Sequence, residues 1–248
     1  MIAPVPAGTP PPAARRTSCW VALAIGLALG LLPTPATAQV GALVSIYSDD
    51  RFRGVSLSDG RPVAVFDLSY DAPNGLYAGG SGSIVASREG LRTLGLSLNA
   101  GYAKRLKSGI TADVGIIHSR FSHYSALEPS RNYTEAYLGL AGKNLGGRLS
   151  VSPDYLGAAR WTVRGELNGH VDLTERLILD GALGLLVPVG HAYVSDSKSQ
   201  FDARIGLAER LGRLTLHAAI TTRSDGLEIY SGKGRGRTAL VVGASYAL

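Results

Sequence analysis

The sequence contains little cysteine, few large aromatic residues and no long apolar run beyond its N-terminus. Its only cysteine, Cys19, lies in the leader, so the rest of the chain can form neither disulfides nor thiolate metal sites. The 248 residues include 11 Tyr but only 4 Phe and 2 Trp, so large apolar side chains for a core are scarce. No uncharged apolar run after residue 38 approaches the roughly 20 residues of a spanning helix.

No charge of either sign dominates the chain. The formal net charge is +6, and it falls to +4 once Arg15 and Arg16 leave with the predicted leader. Such a mild excess predicts neither a nucleic-acid partner nor a polybasic membrane patch.

The N-terminus has the three parts of a secretory signal peptide. Arg15 and Arg16 precede an uncharged run over residues 19–32, and a small-residue cleavage site, Ala36-Thr37-Ala38, follows it. A membrane anchor is the alternative, but the run is too short for a spanning helix. We therefore predict a signal peptide over residues 1–38 and a single mature domain over residues 39–248.

A strictly alternating segment shows what kind of structure the mature domain contains. Residues 160–171 read RWTVRGELNGHV, in which every even position is polar and every odd position is apolar or glycine. Because side chains on a strand point alternately to two faces, this segment is one strand with two unlike faces. The apolar face, with Trp161, Val163, Leu167 and Val171, must then meet either a dry core or lipid.

Similar alternation recurs in about twelve segments, and the connections between them are sorted by length. The predicted strands cover residues 41–48, 62–70, 76–86, 91–104, 110–119, 133–143, 145–155, 160–171, 176–187, 200–210, 212–222 and 237–248. Short turns near residues 72–74, 106–108, 143–144, 172–175 and 211–212 alternate with a set that contains all the long segments, including residues 49–61. This asymmetry is typical of outer-membrane barrels. The predicted fold is all-β, a transmembrane antiparallel up-and-down β-barrel of about twelve strands.

The polar faces would then line the barrel interior, and they carry both signs of charge. The predicted lumen residues are Arg160, Arg164, Glu166, His170, Glu135, Arg148, Asp180, Asp202, Arg204, Arg213 and His217. Packed together, they either plug the barrel as ion pairs or line a water-filled path. We expect a porin that lets small solutes or ions diffuse passively; the alternative is a closed barrel with a structural or surface-binding role through its outer loops. The arginine excess predicts weak anion preference.

The sequence gives little indication of a catalytic site or of a metal-binding site. A hydrolase would need a serine and a histidine on one face, but the adjacent His118 and Ser119 point to opposite faces of a strand. The five histidines show no metal-ligand spacing. We predict no enzyme activity, no cofactor and no metal site, with membrane lipid and small solutes as partners; the oligomeric state is left open.

A stretch directly after the first strand resembles a known family. Residues 48–60, SDDRFRGVSLSDG, are similar to the Ser-Asp-Tyr-Arg-Phe-Arg-Gly-Ile-Ser-Gln-Ser signature of the TorF-like family of proteobacterial porins, with Asp50 and Leu57 in place of the usual Tyr and Gln. Residues 74–79, 133–137 and 152–157 also resemble that family in order and spacing. The resemblance implies an outer-membrane β-barrel of a Gram-negative bacterium, with Arg53, Gly54 and Ser56 as its motif residues.

Overall fold

The computed structural model describes residues 38–88, 90–122, 131–157, 160–189, 199–224 and 237–248. The predicted signal peptide, apart from residue 38, lies outside the described residues. The same holds for most of the outer segments 120–132 and 223–236, and for His123.

The described chain folds into one closed barrel and a small hairpin. The barrel strands are β1 (Gln39–Tyr47), β4 (Val63–Asp71), β5 (Leu76–Ser87), β6 (Gly90–Arg105), β7 (Thr111–Phe121), β8 (Arg131–Ala141), β9 (Leu145–Ser152), β10 (Trp161–Asp172), β11 (Leu177–Val189), β12 (Gln200–Leu211), β13 (Leu214–Arg223) and β14 (Thr238–Ala247). The hairpin pairs β2 (Arg51–Phe52) with β3 (Val55–Ser56), and a 3-10 turn covers Tyr155–Gly157. Among the described residues, no helix is long and apolar enough to span a membrane.

Every barrel strand pairs antiparallel with its neighbours, and β1 closes the barrel against β14. Closure leaves no edge strand, so every strand has two hydrogen-bonded neighbours. The prediction of a twelve-stranded antiparallel barrel is confirmed.

The outside of the barrel is apolar and the inside is mostly polar or small. Exposed outward side chains include Leu167, Leu183, Ile205 and Ile220, each close to half exposed, and Trp161 and Val171 also point outward. A water-soluble barrel would bury such residues, whereas lipid-facing strands require them on the exterior. Strand β10, which covers most of the alternating segment 160–171, therefore faces lipid with its odd positions.

The connections give the barrel two different ends. The five connections after β4, β6, β8, β10 and β12 are all short, and the longer ones lie at the opposite end. In outer-membrane barrels short turns face the periplasm, so we name these the periplasmic end and the outer end.

One strand departs from strict alternation. The pairing of β5 with β6 shifts between Ser83 and Ile84, leaving Leu94 as the extra residue of a bulge. As a result Leu94 is fully buried inside the barrel. Strict alternation over the predicted strand 91–104 places Leu94 on the lipid-facing side with Leu96 and Leu98, and the bulge makes that prediction wrong for Leu94.

Candidate functional site

The connection between β1 and β4 folds into the barrel. Residues 49–60, here called the inserted loop, were expected to form an outer loop, but most of their side chains are buried. The loop contacts β8 through Arg53 and Glu135, and β12 through Gln200 Nε2, which donates to Arg53 O at 3.0 Å. Because these strands lie four apart around the barrel, the loop crosses the lumen at its outer end.

Asp49 holds the inserted loop in its shape. One carboxylate oxygen accepts hydrogen bonds from Ser56 Oγ at 2.6 Å and Ser58 Oγ at 2.8 Å, and the other pairs with Arg51 Nε at 2.8 Å. Arg51 also donates to Gly54 O at 2.9 Å. The loop therefore carries its own polar core, and it can enter the lumen with most of these groups already partnered.

The turn of the small hairpin explains the Arg-Gly pair of the motif. Arg53 and Gly54 both have positive φ, 51° and 77°, as the central residues of a type I′ hairpin require. A Cβ on Gly54 would stand 2.7 Å from Cβ of Arg223 on β13. Glycine is needed there both for its conformation and for the close approach to the wall.

Arg53 anchors the loop to the wall. Its Nη2 donates to both oxygens of Glu135 at 2.7 Å, and its guanidinium lies 4.8 to 5.7 Å from the rings of Phe52, Tyr133 and Tyr155. Burial alone would lower the pKa of Arg53, but the Glu135 carboxylate and the two tyrosines raise it well above its usual value. The pair is thus a desolvated ion pair inside the barrel.

An apolar layer surrounds this contact and fills the outer end of the lumen. Its centre is Phe52, 5.1 Å from the ring of Phe121 and 6.2 Å from that of Tyr133. The layer consists of Tyr47, Phe52, Leu57, Val63, Val65, Val85, Leu94, Phe121, Tyr133, Tyr155, Leu156, Leu186 and Val241. The sequence predicted a polar lumen throughout; at the outer end this is wrong, because the loop brings a small hydrophobic core with it.

A second inward element completes the layer. Strand β9 ends at Ser152, earlier than predicted, and Tyr155 and Leu156 turn into the barrel. Leu156 has φ of 54°, and Arg131 Nη1 donates to its carbonyl at 3.3 Å. The ring of Tyr155 meets that of Tyr133 edge to face at 4.9 Å. Three of the four family-like segments, residues 48–60, 133–137 and 152–157, therefore meet in the same layer.

Below the apolar layer the interior is polar and its charges are paired. Arg164 makes two hydrogen bonds to Asp202, at 2.6 and 2.9 Å, and pairs with Glu166 at 3.3 Å. Arg204 pairs with Asp180 on the neighbouring strand. This region can attract and orient charged or hydrogen-bonding solutes, since water-filled lumens bind ions through such side chains.

Closer to the periplasmic end, a tyrosine cluster spans β5, β7, β8 and β9. Tyr77 Oη donates to Asp113 at 2.5 Å and also hydrogen-bonds Tyr137 Oη. Arg148 lies 4.1 Å over the ring of Tyr137 and 3.7 Å from Asp113. Asp113, Tyr77 and Tyr137 were not among the predicted lumen residues. The alternating pattern of the segment could have predicted Asp113, because this residue lies on the polar face of the strand.

The match to a family of sequences covers most of this architecture. A family model described as "Bacterial protein of unknown function (Gcw_chp)" matches residues 33–241. The chain belongs to the Gcw_chp family. The family model that matches this chain is not described as TorF-like. The similarity of residues 48–60 to the TorF-like signature is therefore a resemblance and does not show membership of that family. Comparison with curated proteins finds no match by sequence.

Solved porins share the barrel of this Gcw_chp protein. The NanC porin matches with a TM-score of 0.56 and 13% identity over 84% of this chain and 100% of that chain. The KdgM porin matches with a TM-score of 0.51 and 13% identity over 84% of this chain and 99% of that chain. At such identity the likeness concerns the fold. With the apolar exterior, it places the Gcw_chp barrel in the bacterial outer membrane.

Most predicted lumen residues of the Gcw_chp barrel do point inward. Those whose side chains lie in the interior are Arg164, Glu166, His170, Glu135, Arg148, Asp180, Asp202, Arg204 and His217. Two predicted positions differ. Arg213 is exposed in the short turn after β12, and Arg160 is half-buried in the connection before β10, where its carbonyl accepts from Tyr155 N. The motif residues Arg53 and Ser56 are buried in the inserted loop.

Residues considered for catalysis do not assemble. His118 lies on the outer face and contacts Thr134 at 2.9 Å, whereas Ser119 points inward and lies 3.0 Å from Ser97 Oγ. Within the described ranges, no group of three or more histidine, cysteine or acidic side chains is placed to hold a metal ion. His217 Nε2 lies 2.9 Å from Ser245 Oγ, but a serine–histidine contact needs a third, orienting group and an oxyanion site to act as a hydrolase.

Proposed function

We propose that this protein is an outer-membrane porin through which small solutes or ions diffuse passively, with residues 1–38 as its signal peptide. The observation that carries the proposal is the polar, charge-lined wall from the Tyr77 cluster to the Arg164 cluster, inside a barrel of the kind found in two named porins. No chemical step is part of this function. The TorF-like motif supports it, since that family is one of porins.

The inserted loop sets the permeation state in this proposal. It crosses the lumen, and the apolar layer closes around it. A path to the outside therefore requires the loop to move or water to pass beside it. We infer an occluded conformation in which Arg53 and Glu135 form the main attachment between loop and wall.

The interior charges of the two signs are nearly balanced. The interior arginines are Arg51, Arg53, Arg131, Arg148, Arg164, Arg204, Arg210 and Arg223. The interior carboxylates are Asp49, Asp50, Asp67, Asp71, Asp113, Glu135, Glu166, Asp180 and Asp202. Two arginines that counted toward the expected anion preference lie outside the lumen wall, since Arg213 is exposed and Arg160 is half-buried in a connection. Weak anion preference therefore stays a prediction, which reversal potentials in a salt gradient test.

A closed barrel with a structural or surface-binding role is the second candidate. The packing of Phe52 against Phe121 and Tyr133 favours it, because a desolvated aromatic layer resists opening. The two candidates differ in whether the polar lumen below this layer ever connects to the outside.

Conductance in planar bilayers tests the proposal. We expect brief openings from the wild type, and a larger, steady conductance from a variant in which residues 51–58 are replaced by a short Gly-Ser linker. The control replaces the periplasmic turn at residues 107–109 in the same way, which leaves the lumen unchanged. A folded, heat-modifiable barrel that conducts in neither form contradicts the porin and leaves the closed barrel.

A further inference from the structure

One buried carboxylate of the wall has no cationic partner. Asp67 on β4 is 5% exposed, its Oδ1 makes no hydrogen bond, and no arginine or lysine of the described chain pairs with it. The other interior acids differ: Glu135 pairs with Arg53, Asp113 with Arg148 and Asp180 with Arg204. A buried, uncompensated carboxylate is costly, so an ionised Asp67 needs a positive charge that the wall does not supply.

The inserted loop adds a second negative charge at this place. Asp50 is 1% exposed, and its carboxylate repels that of Asp67. The loop thus brings an acidic residue into the lumen within electrostatic range of an acidic residue of the wall. Without a bound ion, this contact would oppose the docking that Arg53 and Asp49 support.

Two buried serine hydroxyls lie on the strand that pairs with β4. Ser81 stands directly opposite Asp67 on β5 and interacts with its carboxylate, and Ser83 is the next inward residue of β5. Each serine is 2% exposed, and the hydroxyl of Ser83 makes no hydrogen bond. Because buried hydroxyls are nearly always satisfied, the unpartnered Ser83 Oγ and Asp67 Oδ1 on adjacent strands indicate a site for a ligand.

We propose that Asp67, Ser81 and Ser83, together with Asp50 of the inserted loop, form a binding site for a hard metal cation, with Ca²⁺ as the best-suited ion. The donor set is made of carboxylate and hydroxyl oxygens, which Ca²⁺ accepts in flexible geometry. It contains no nitrogen or sulfur donor of the kind that selects zinc or copper. The site exists whether or not the barrel conducts, so it does not depend on the porin proposal.

Such an ion has a structural consequence. It would join the loop to β5 and β4, which lie three and four strands around the barrel from β8. The inserted loop would then be attached to the wall at two separate places, by an ion pair to β8 and by a metal ion to β4 and β5.

Calcium binding to the refolded, EDTA-treated barrel tests the site. We expect one Ca²⁺ per chain by equilibrium dialysis at pH 7.5, and a higher unfolding temperature with Ca²⁺ than with EDTA. Asp67→Asn should bind Ca²⁺ about tenfold more weakly or not at all, because a charged ligand is lost. Asp67→Asn should also unfold at a higher temperature than the wild type in EDTA, since the repulsion from Asp50 is removed.

The matched control is Asp172→Asn, which neutralises a half-exposed acid at the periplasmic end and should keep full binding. If Asp67→Asn fails to fold, Ser81→Ala serves instead and should weaken binding about tenfold. Absence of Ca²⁺, Mg²⁺ and Na⁺ binding to the wild type overturns the proposal. Equal binding by the wild type and the Asp67 or Ser81 variant overturns it as well.

Discussion

The two ends of the barrel interior are built on different principles. At the outer end, the inserted loop and the inward side chains form a dry layer in which the buried Arg53–Glu135 pair is enclosed by aromatic rings. Outside that layer, arginines and carboxylates pair across the polar interior and remain within reach of water, as the side chain of Asp202, 15% exposed, shows. In the proposed porin, the outer end would therefore govern stability and closure, and the remaining interior would govern which solutes are attracted.

The largest effect should come from breaking the attachment of the loop. Arg53→Ala leaves Glu135 buried without its partner, which costs about 3–5 kcal/mol in a buried pair. Guanidinium unfolding in lipid vesicles measures this loss. The double variant Arg53→Ala, Glu135→Ala should recover part of the stability, because no lone charge remains. If Arg53→Ala lowers the free energy of unfolding by less than about 1 kcal/mol, as for an exposed ion pair, then the outer end of the lumen is not dry.

The next effect concerns the apolar layer itself. Phe121→Ala removes the ring that packs against Phe52, and large-to-small changes of this kind cost about 3 kcal/mol or more. Chemical denaturation measures the change, and Phe121→Leu is the control that keeps most of the volume. If Phe121→Ala matches the wild type in stability, the layer is loosely packed and the comparison between the two ends fails.

In the polar region, Arg164→Gln should change selectivity more than stability. It removes hydrogen bonds to Asp202 and Glu166, and bonds to charged groups are worth about 1.5–3 kcal/mol. The two carboxylates left behind should move the reversal potential in a salt gradient toward cation selectivity. Asp202→Asn is the matched control with the opposite expected shift. A selectivity that neither variant alters would mean that ions do not pass this cluster.

The smallest effect is expected at the periplasmic rim. Asp172→Asn removes a 3.5 Å contact with Arg210, in which the Asp172 side chain is about half exposed. Exposed pairs contribute about 0–1 kcal/mol, so unfolding and conductance should both stay close to those of the wild type. A large effect would extend the buried region down to the turns.

Much of the fold was predictable because alternation is a local property of the chain. Residues 160–171 predicted one lipid-facing and one lumen-facing side, and β10 has both. The bulge at Leu94 was not predictable in this way. One extra residue exchanges the lipid-facing and lumen-facing sides of a strand, and no residue type in this segment indicates where that happens. The position of Arg213 depended on a strand boundary that lies only two residues from the prediction.

The inserted loop lay beyond sequence reasoning for another reason. Residues 49–60 are polar enough to be an exposed loop, and their burial depends on partners far away in the chain, such as Glu135 and Gln200. The Arg53-Gly54 pair is compatible with a tight turn, but the sequence of a turn does not show whether the turn lies inside the barrel or outside it.

The sequence by itself determined the closed twelve-stranded barrel and its two unlike faces, since the strand period of two requires only neighbouring residues. The tertiary structure decided that residues 49–60 enter the lumen at its outer end, that Arg53 is buried against Glu135, and that Asp50 lies within electrostatic range of Asp67. These features depend on charges and rings brought together from distant strands, where low solvent access makes each pairing strong and each unpaired group costly.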